Sequence, residues 1–184
     1  VIMNKSKRKN VFQGNATEFE VFAHIDDKEH LLEDGYDMNE IGSKYVDNFI
    51  KQVMDDGFFH ADPHPGNVRI RDGKIVWIDM GMMGRLTERD REQIAKAVEG
   101  VAFNDIGMIQ DAVLALGEFR GEPDPSQLYK DIRGLMAKYG TADMGNIDVA
   151  EVLQDLMDVM KENKITMPHG LTMLARGLAH VEGV

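Results

Sequence analysis

A proline-stiffened loop running straight into a β-hairpin, between residues 60 and 81, limits what this chain can fold into more than any other stretch. It reads His60-Ala61-Asp62-Pro63-His64-Pro65-Gly66-Asn67, then Val68-Arg69-Ile70, Arg71-Asp72-Gly73-Lys74, Ile75-Val76-Trp77-Ile78 and Asp79-Met80-Gly81. Two short β-rich runs around an Asp-Gly pair predict a hairpin with a tight turn. The hairpin returns the chain, so Asn67 at its start and Asp79 at its end become spatial neighbours. Pro63, Pro65 and Gly66 stiffen and turn the segment before it, as a preorganised site requires.

Three polar side chains in this stretch carry the chemistry. Asp62 and Asn67 stand as D-x-x-x-x-N, the spacing in which kinase-like phosphotransfer sites use an Asp to position the nucleophile and an Asn to hold a metal. Asp79 lies where such sites place their second metal-binding Asp, with Met80 in the position of the usual Phe. Phosphoryl transfer needs the nucleophile aligned and the developing charge neutralised, mainly by Mg²⁺. Magnesium takes only one or two protein carboxylates and keeps several waters. A carboxylate at Asp79 and an amide oxygen at Asn67 would suffice. Each piece alone is weak, because an Asp-Gly hairpin is usually a surface turn and D-x-x-x-x-N recurs by chance. Their conjunction is the signal.

The string Gly57-Phe58-Phe59-His60-Ala61-Asp62-Pro63-His64-Pro65-Gly66-Asn67 closely resembles the catalytic loop of the UbiB-type atypical kinases, a protein-kinase-like family linked to ubiquinone biosynthesis. Ile78-Asp79-Met80-Gly81-Met82-Met83-Gly84-Arg85-Leu86 is similar to that family's I-D-F-G-M-x-G-R-L. Aminoglycoside phosphotransferases share H-x-D-x-H-x-x-N but usually lack the Ala-Asp-Pro and Gly-Arg-Leu elements. The resemblance runs from about Asp27 to the C-terminus and is specific around Gly57–Leu86. It implies that Asp62 is the catalytic Asp, with His60 bracing the catalytic loop. It also implies that Asn67 and Asp79 hold magnesium, and through it ATP. The expected function is that of an Mg-ATP-dependent phosphotransferase or ATPase tied to quinone or isoprenoid lipid metabolism. The resemblance leaves the acceptor open between a protein, a membrane-associated lipid precursor and water, and the expected location is the cytoplasm or the inner face of the membrane. The family's N-terminal lobe carries a K-x-G-Q motif, an Ala-rich nucleotide loop and an ATP-anchoring Lys, and nothing in Val1–Asp34 matches these. The chain therefore reads as a kinase-like C-terminal lobe whose N-lobe is absent, awaiting that lobe or a partner chain and of low activity alone.

Composition excludes several classes. The 184 residues are enough for one sizeable core, with 43% hydrophobic and 29% charged residues as in ordinary globular proteins. A formal charge of −11 argues against a nucleic-acid partner, since neutralising phosphates takes clustered Lys and Arg. Lys5-Ser6-Lys7-Arg8-Lys9 is the one basic cluster, and it reads as a solvated terminus. Cysteine is absent, so there is no disulfide framework and no thiolate metal site. No apolar run approaches the ~20 residues that span a bilayer.

The predicted fold is mostly α with a small β-hairpin, in the α+β class. Residues 1–34 are poorly specified, with one strand around Phe19–Ile25, and residues 35–184 form the lobe. In it the catalytic loop covers 58–67, the hairpin 68–79 and the helical remainder 87–182. Met38, Ile41, Tyr45, Val46, Phe49, Ile50, Val53 and Met54 recur at three- and four-residue steps and predict an amphipathic helix, capped by Asp37 and ended by Gly57. Thr87-Glu88-Arg89-Asp90 resembles a capping box opening a helix with Ile94, Ala95, Val98 and Val101 on one face. Asn104 or Asp105 caps the next, which carries Ile106, Ile109, Val113 and Leu116. Gly121–Ser126 is a loop, and helices follow around Gln127–Lys138, Asp148–Lys161 and Pro168–His180.

Two other readings compete. His60-x-Asp62-x-His64 could ligate a transition metal in a hydrolase, although Pro63 and Pro65 make a poor strand of that run. A kinase-like remnant could also serve as a non-catalytic binding module, and the intact Asp62, Asn67 and Asp79 argue against that. Thirteen methionines invite a metal reading, but Met38, Met54, Met157, Met160 and Met173 fall on apolar helix faces and are expected to fill the core.

Overall fold

The Asp72-Gly73 pair turns the chain as its residue types demand. Both residues take left-handed backbone angles (φ 49° and 72°), which gives the tight turn whose twist matches the strands on either side. The strands are β3 (Val68–Arg71) and β4 (Lys74–Trp77), paired in register from Val68 opposite Trp77 to Arg71 opposite Lys74. The structure, a computed structural model, describes residues 23–139 and 149–181. These form two units, residues 23–83 with His180 and Val181, and Gly84–Ala179.

In the first unit, β1 (Ala23–His24) adds to β3 antiparallel, giving the sheet order β1-β3-β4. Helix α1 (Lys28–Glu33) follows, capped by Asp27. The strand expected around Phe19–Ile25 is seen only as β1; residues 19–22 lie outside the described residues, as does the basic cluster Lys5–Lys9. Helix α2 (Met38–Lys51) starts where Asp37 accepts from the Asn39 and Glu40 amides. Its last turn widens into a π turn, Gln52–Asp56, which Gly57 ends in a left-handed conformation (φ 63°). Ile41, Tyr45, Phe49 and Val53 are all buried and four residues apart. On an ideal α-helix such steps drift by ~40° each. The wider π turn offsets that drift and keeps Val53 on the buried face. Against this face lies a core of Ile25, Leu31, Ile41, Tyr45, Val68 and Ile70, with Trp77 and Val181 partly buried beside it. Phe49 meets Phe59 edge to face, with ring centroids 6.3 Å apart. Each such fully buried side chain contributes ~1.5–3 kcal/mol relative to exposure.

From this core β2 (Phe58–His60) leads into the loop, and a single 3-10 turn at Pro65–Asn67 delivers the chain to β3. Beyond the hairpin comes β5 (Met83–Arg85).

The second unit begins with α3 (Glu88–Phe103), whose N-terminus is a complete capping box between Thr87 and Asp90. Asn104 ends α3 in a left-handed turn, and Asp105 caps α4 (Ile106–Leu116). After β6 (Glu118–Phe119) come α5 (Pro125–Tyr139), α6 (Val149–Glu162), β7 (Ile165–Thr166) and α7 (His169–Val181), with β6 and β7 paired. The loop expected over Gly121–Ser126 thus ends earlier, because Pro125 suits the first turn of a helix. Asp148 lies outside the described residues. The core holds Ile106, Ile109, Val113, Leu128, Ile132, Met160 and Ile165.

The expected inward face of α3 is corrected by the structure. Val98 and Val101 are 63% and 53% exposed, and Ala95 is exposed as well. Gly100 faces inward instead: a Cβ there would stand 2.8 Å from Ile109 Cγ1 and 3.2 Å from the Asp105 carbonyl oxygen. The absent side chain lets α4 approach, and that approach decides which face is covered. Among the described residues, no helix is long and apolar enough to cross a membrane.

Candidate functional site

His60 organises the site. It is almost wholly buried (1% exposed), and its ring stacks on Trp77 with centroids 5.6 Å apart. Its Nδ1 accepts from the Asp62 amide at 3.2 Å. Nε2 therefore carries the proton and donates toward the Ile78 and Asp79 carbonyls, at 3.1 and 3.0 Å. One ring ties the loop that bears Asp62 to the strand end that bears Asp79. That use of both nitrogens corrects the transition-metal reading of His60, Asp62 and His64. Among the described residues, no cluster of three His, Cys, Asp or Glu could hold a metal ion.

Asn67 is the second tie. Its backbone amide donates to the His64 carbonyl and its carbonyl accepts from the Ile78 amide, both at 2.9 Å. Its side-chain Nδ2 donates to the Asp62 carbonyl at 3.0 Å, which leaves Oδ1 as the remaining polar atom of a side chain only 9% exposed. Asp79 is exposed and left-handed (φ 54°), a backbone region that non-glycine residues rarely adopt. Its Oδ1 accepts from the Gly81 amide at 3.3 Å, and the Ala61 amide closes the loop on the Met82 carbonyl at 2.9 Å. Met80, in the position of the usual Phe, is 53% exposed. The hairpin thus bonds the Asn67 backbone to Ile78, the residue before Asp79.

Asp62 is partly buried, and imidazoles flank its carboxylate. His64 Nε2 lies 3.6 Å from Oδ2 and His180 Nδ1 lies 2.9 Å from Oδ1. His64 also caps the 3-10 turn, its Nδ1 accepting from the Gly66 amide at 3.0 Å. A Cβ at Gly66 would stand 2.4 Å from His64 Cε1, so any larger residue there would have to displace the ring that caps the turn. Arg69 Nη1 donates to the Gly66 and Val68 carbonyls, at 2.8 and 3.1 Å, and clamps the far side of the turn.

A supporting layer comes from α2. Tyr45 donates its hydroxyl to the Pro63 carbonyl at 2.5 Å and also stacks on Trp77. Burial pushes the Tyr45 phenol well above its ordinary value, so it stays a donor. Asn48 Oδ1 accepts from Trp77 Nε1 and from Gln52 Nε2, and Gln52 Oε1 accepts from the His60 amide. Asn48 and Gln52 escaped the sequence reading, although two amides one turn apart beside an apolar stripe are a usable signal. His180 carried no signal at all.

The donor chemistry suits magnesium. One exposed carboxylate and one amide oxygen leave most coordination positions to water and phosphate oxygens, as that ion prefers. Among the described residues, no cluster of three His, Cys, Asp or Glu competes for a softer metal.

Comparison with known proteins places this geometry in context. The model of the ABC1 atypical kinase-like domain matches residues 16–113, and that of the UbiB helical domain matches residues 132–184. An uncharacterized protein from the hydrogenase 1 5′ region of Clostridium pasteurianum is 36% identical over 160 residues, covering 87% of this chain and 30% of that protein. A Xylella fastidiosa (strain M12) protein named "Probable protein kinase UbiB" is 29% identical over 166 residues, covering 86% of this chain and 30% of its own length. The chloroplastic protein ACTIVITY OF BC1 COMPLEX KINASE 8 of Arabidopsis thaliana is 36% identical over 86 residues, covering 45% of this chain and 11% of that protein. The chain therefore spans about a third or less of the length of these relatives. No solved structure matches it.

Proposed function

Because this chain belongs to the ABC1 atypical kinase-like family, we propose that residues 58–79 form the magnesium and nucleotide end of a phosphotransferase or ATPase site. In this reading Asp62 orients the attacking group, Asn67 Oδ1 and the Asp79 carboxylate hold the metal, and His60 fixes the spacing of the two segments. Bound magnesium would neutralise charge developing on the transferred phosphoryl group. The chain's own part is positional. His60 and Asn67 set where Asp62 and Asp79 stand, and the Tyr45–Trp77–His60 stack keeps that setting rigid.

The observation that carries the proposal is the double use of His60, with Nδ1 on the Asp62 amide and Nε2 on the Asp79 carbonyl. A solvated surface hairpin has no need of such a tie. The C-terminal lobe of a kinase-like fold is the architecture that fits, and the rest of the nucleotide grip would come from an N-lobe or a partner chain. An acceptor in quinone or isoprenoid lipid metabolism is the substrate class that the resemblance to UbiB-type kinases implies.

The test is the thermal-melt shift on adding Mg-ATP or Mg-ADP to the wild type and to Asp79→Ala. A ligand that binds only the folded state adds ~2.7 kcal/mol at ~100 times its Kd. The expected result is a magnesium-dependent rise in Tm that Asp79→Ala abolishes. An unshifted wild type, or an equal shift in both, would overturn the proposal for this chain.

A further inference from the structure

The group nearest the Asp62 carboxylate belongs neither to the loop nor to the hairpin. It is the ring of His180, at the C-terminal end of α7, with Nδ1 2.9 Å from Asp62 Oδ1. A base must stand ~2.6–3.2 Å from the atom whose proton it takes. His180 therefore stands where an acceptor's hydroxyl, or a water, would have to meet Asp62. The other carboxylate oxygen faces His64 at 3.6 Å, so both oxygens are flanked by imidazole.

We infer that His180 is an acceptor-side gate, the last turn of α7 occupying the nucleophile's place at Asp62 and yielding it when an acceptor binds. This rests on the catalytic reading of Asp62 given above. Three features favour a gate over a permanent pin. The contact has ion-pair distance but lacks hydrogen-bond alignment, so Nδ1 is closed to solvent and still makes no hydrogen bond. Opening thus breaks no aligned bond, and it returns a nitrogen to water. The side chain itself is 40% exposed, so room exists for the ring to swing outward. Asp62 does not depend on His180 for its place, because its backbone is already held by His60 Nδ1 and by Asn67 Nδ2.

The sign of one substitution separates the two roles. If His180 pins the loop, His180→Ala loosens the site and lowers ATP turnover. If His180 occupies the acceptor's place, His180→Ala raises turnover, by about tenfold if the open state is ~10% populated in the wild type. The Mg-ADP melt shift, which reports the metal side of the site, should stay unchanged. A second readout needs no activity. Imidazole ¹⁵N NMR should show the His180 proton on Nδ1 in the wild type, because a bare lone pair 2.9 Å from the Asp62 oxygen would be repelled by it even without an aligned bond, and a return to the ordinary tautomer mixture in Asp62→Ala. A His180 spectrum indifferent to Asp62→Ala, or turnover equal to or below wild type in His180→Ala, overturns the gate. If the wild type shows no Mg-nucleotide shift, the catalytic reading falls and the gate falls with it. A preserved shift with unraised turnover sinks the gate alone.

Discussion

A single imidazole, an indole and a phenol stack through the first unit in the order His60, Trp77, Tyr45, and each spends its polar atoms on backbone or amide groups of the site. The arrangement explains why an aromatic core residue of α2 matters to a loop eighteen residues downstream. Tyr45→Phe keeps the packing but leaves the buried Pro63 carbonyl without its donor, a loss of about 1–3 kcal/mol. Urea unfolding, with an unchanged slope and a lowered midpoint, is the expected result. The same residue sets an alkaline limb. Its folded phenol holds its proton above the ordinary value of 10.0, so the folded state binds more protons than the unfolded one as pH rises past that value. Stability is fully present below it and declines above it. The decline should be shallower in Tyr45→Phe, and an identical alkaline limb in the two proteins would contradict the assignment.

Elements join through local charge as well as through apolar area. In the second unit Lys138 of α5 reaches Glu151 and Asp155 of α6, at 2.8 and 2.7 Å, while the Tyr139 hydroxyl donates to the same Asp155 at 2.6 Å. The Lys138 bond, followed by that of Tyr139, holds the Asp155 carboxyl below its ordinary value. A carboxyl depressed in the folded state stabilises at pH above its unfolded value and loses that contribution as pH falls through the folded one. Lys138→Met should therefore flatten the acid limb of the Tm profile. The difference from wild type should shrink in high salt, because these groups are solvent-screened. A salt-independent difference would point to packing instead. At this scale α2 and α3 make a useful contrast. The stripe of α2 was legible at Ile41, Tyr45, Phe49 and Val53, but Val46 and Ile50, expected on the same face, are 41% and 51% exposed, because the packed face is narrower than the apolar one. The stripe of α3 misled because a missing side chain at Gly100 set the approach of α4, and periodicity cannot weigh an absence.

Over the whole molecule two opposed surface properties coexist. A formal charge of −11 keeps copies apart, while Val98, Val101 and Phe103 leave apolar area exposed along α3. Replacing Val98 and Val101 by Lys should reduce hydrophobic-dye binding and salt-promoted self-association. Stability should stay within ~0.5 kcal/mol, because neither residue is packed. A large loss of stability would show that the stripe is covered in solution.

What the residues determined by themselves was local. The Asp-Gly turn, the caps at Asp37 and Thr87, and the narrowing of the next cap to Asn104 or Asp105 follow from backbone preferences acting over a few positions, and they could be read without coordinates. Tertiary structure alone decided what joins segments distant along the chain. It set His60 between the Asp62 amide and the Asp79 carbonyl, Asn48 and Gln52 beneath the loop, and His180 against the Asp62 carboxylate. Such contacts depend on where a packed core places separate elements, and that placement is a property of summed burial and close approach. No periodicity or spacing along the chain encodes it.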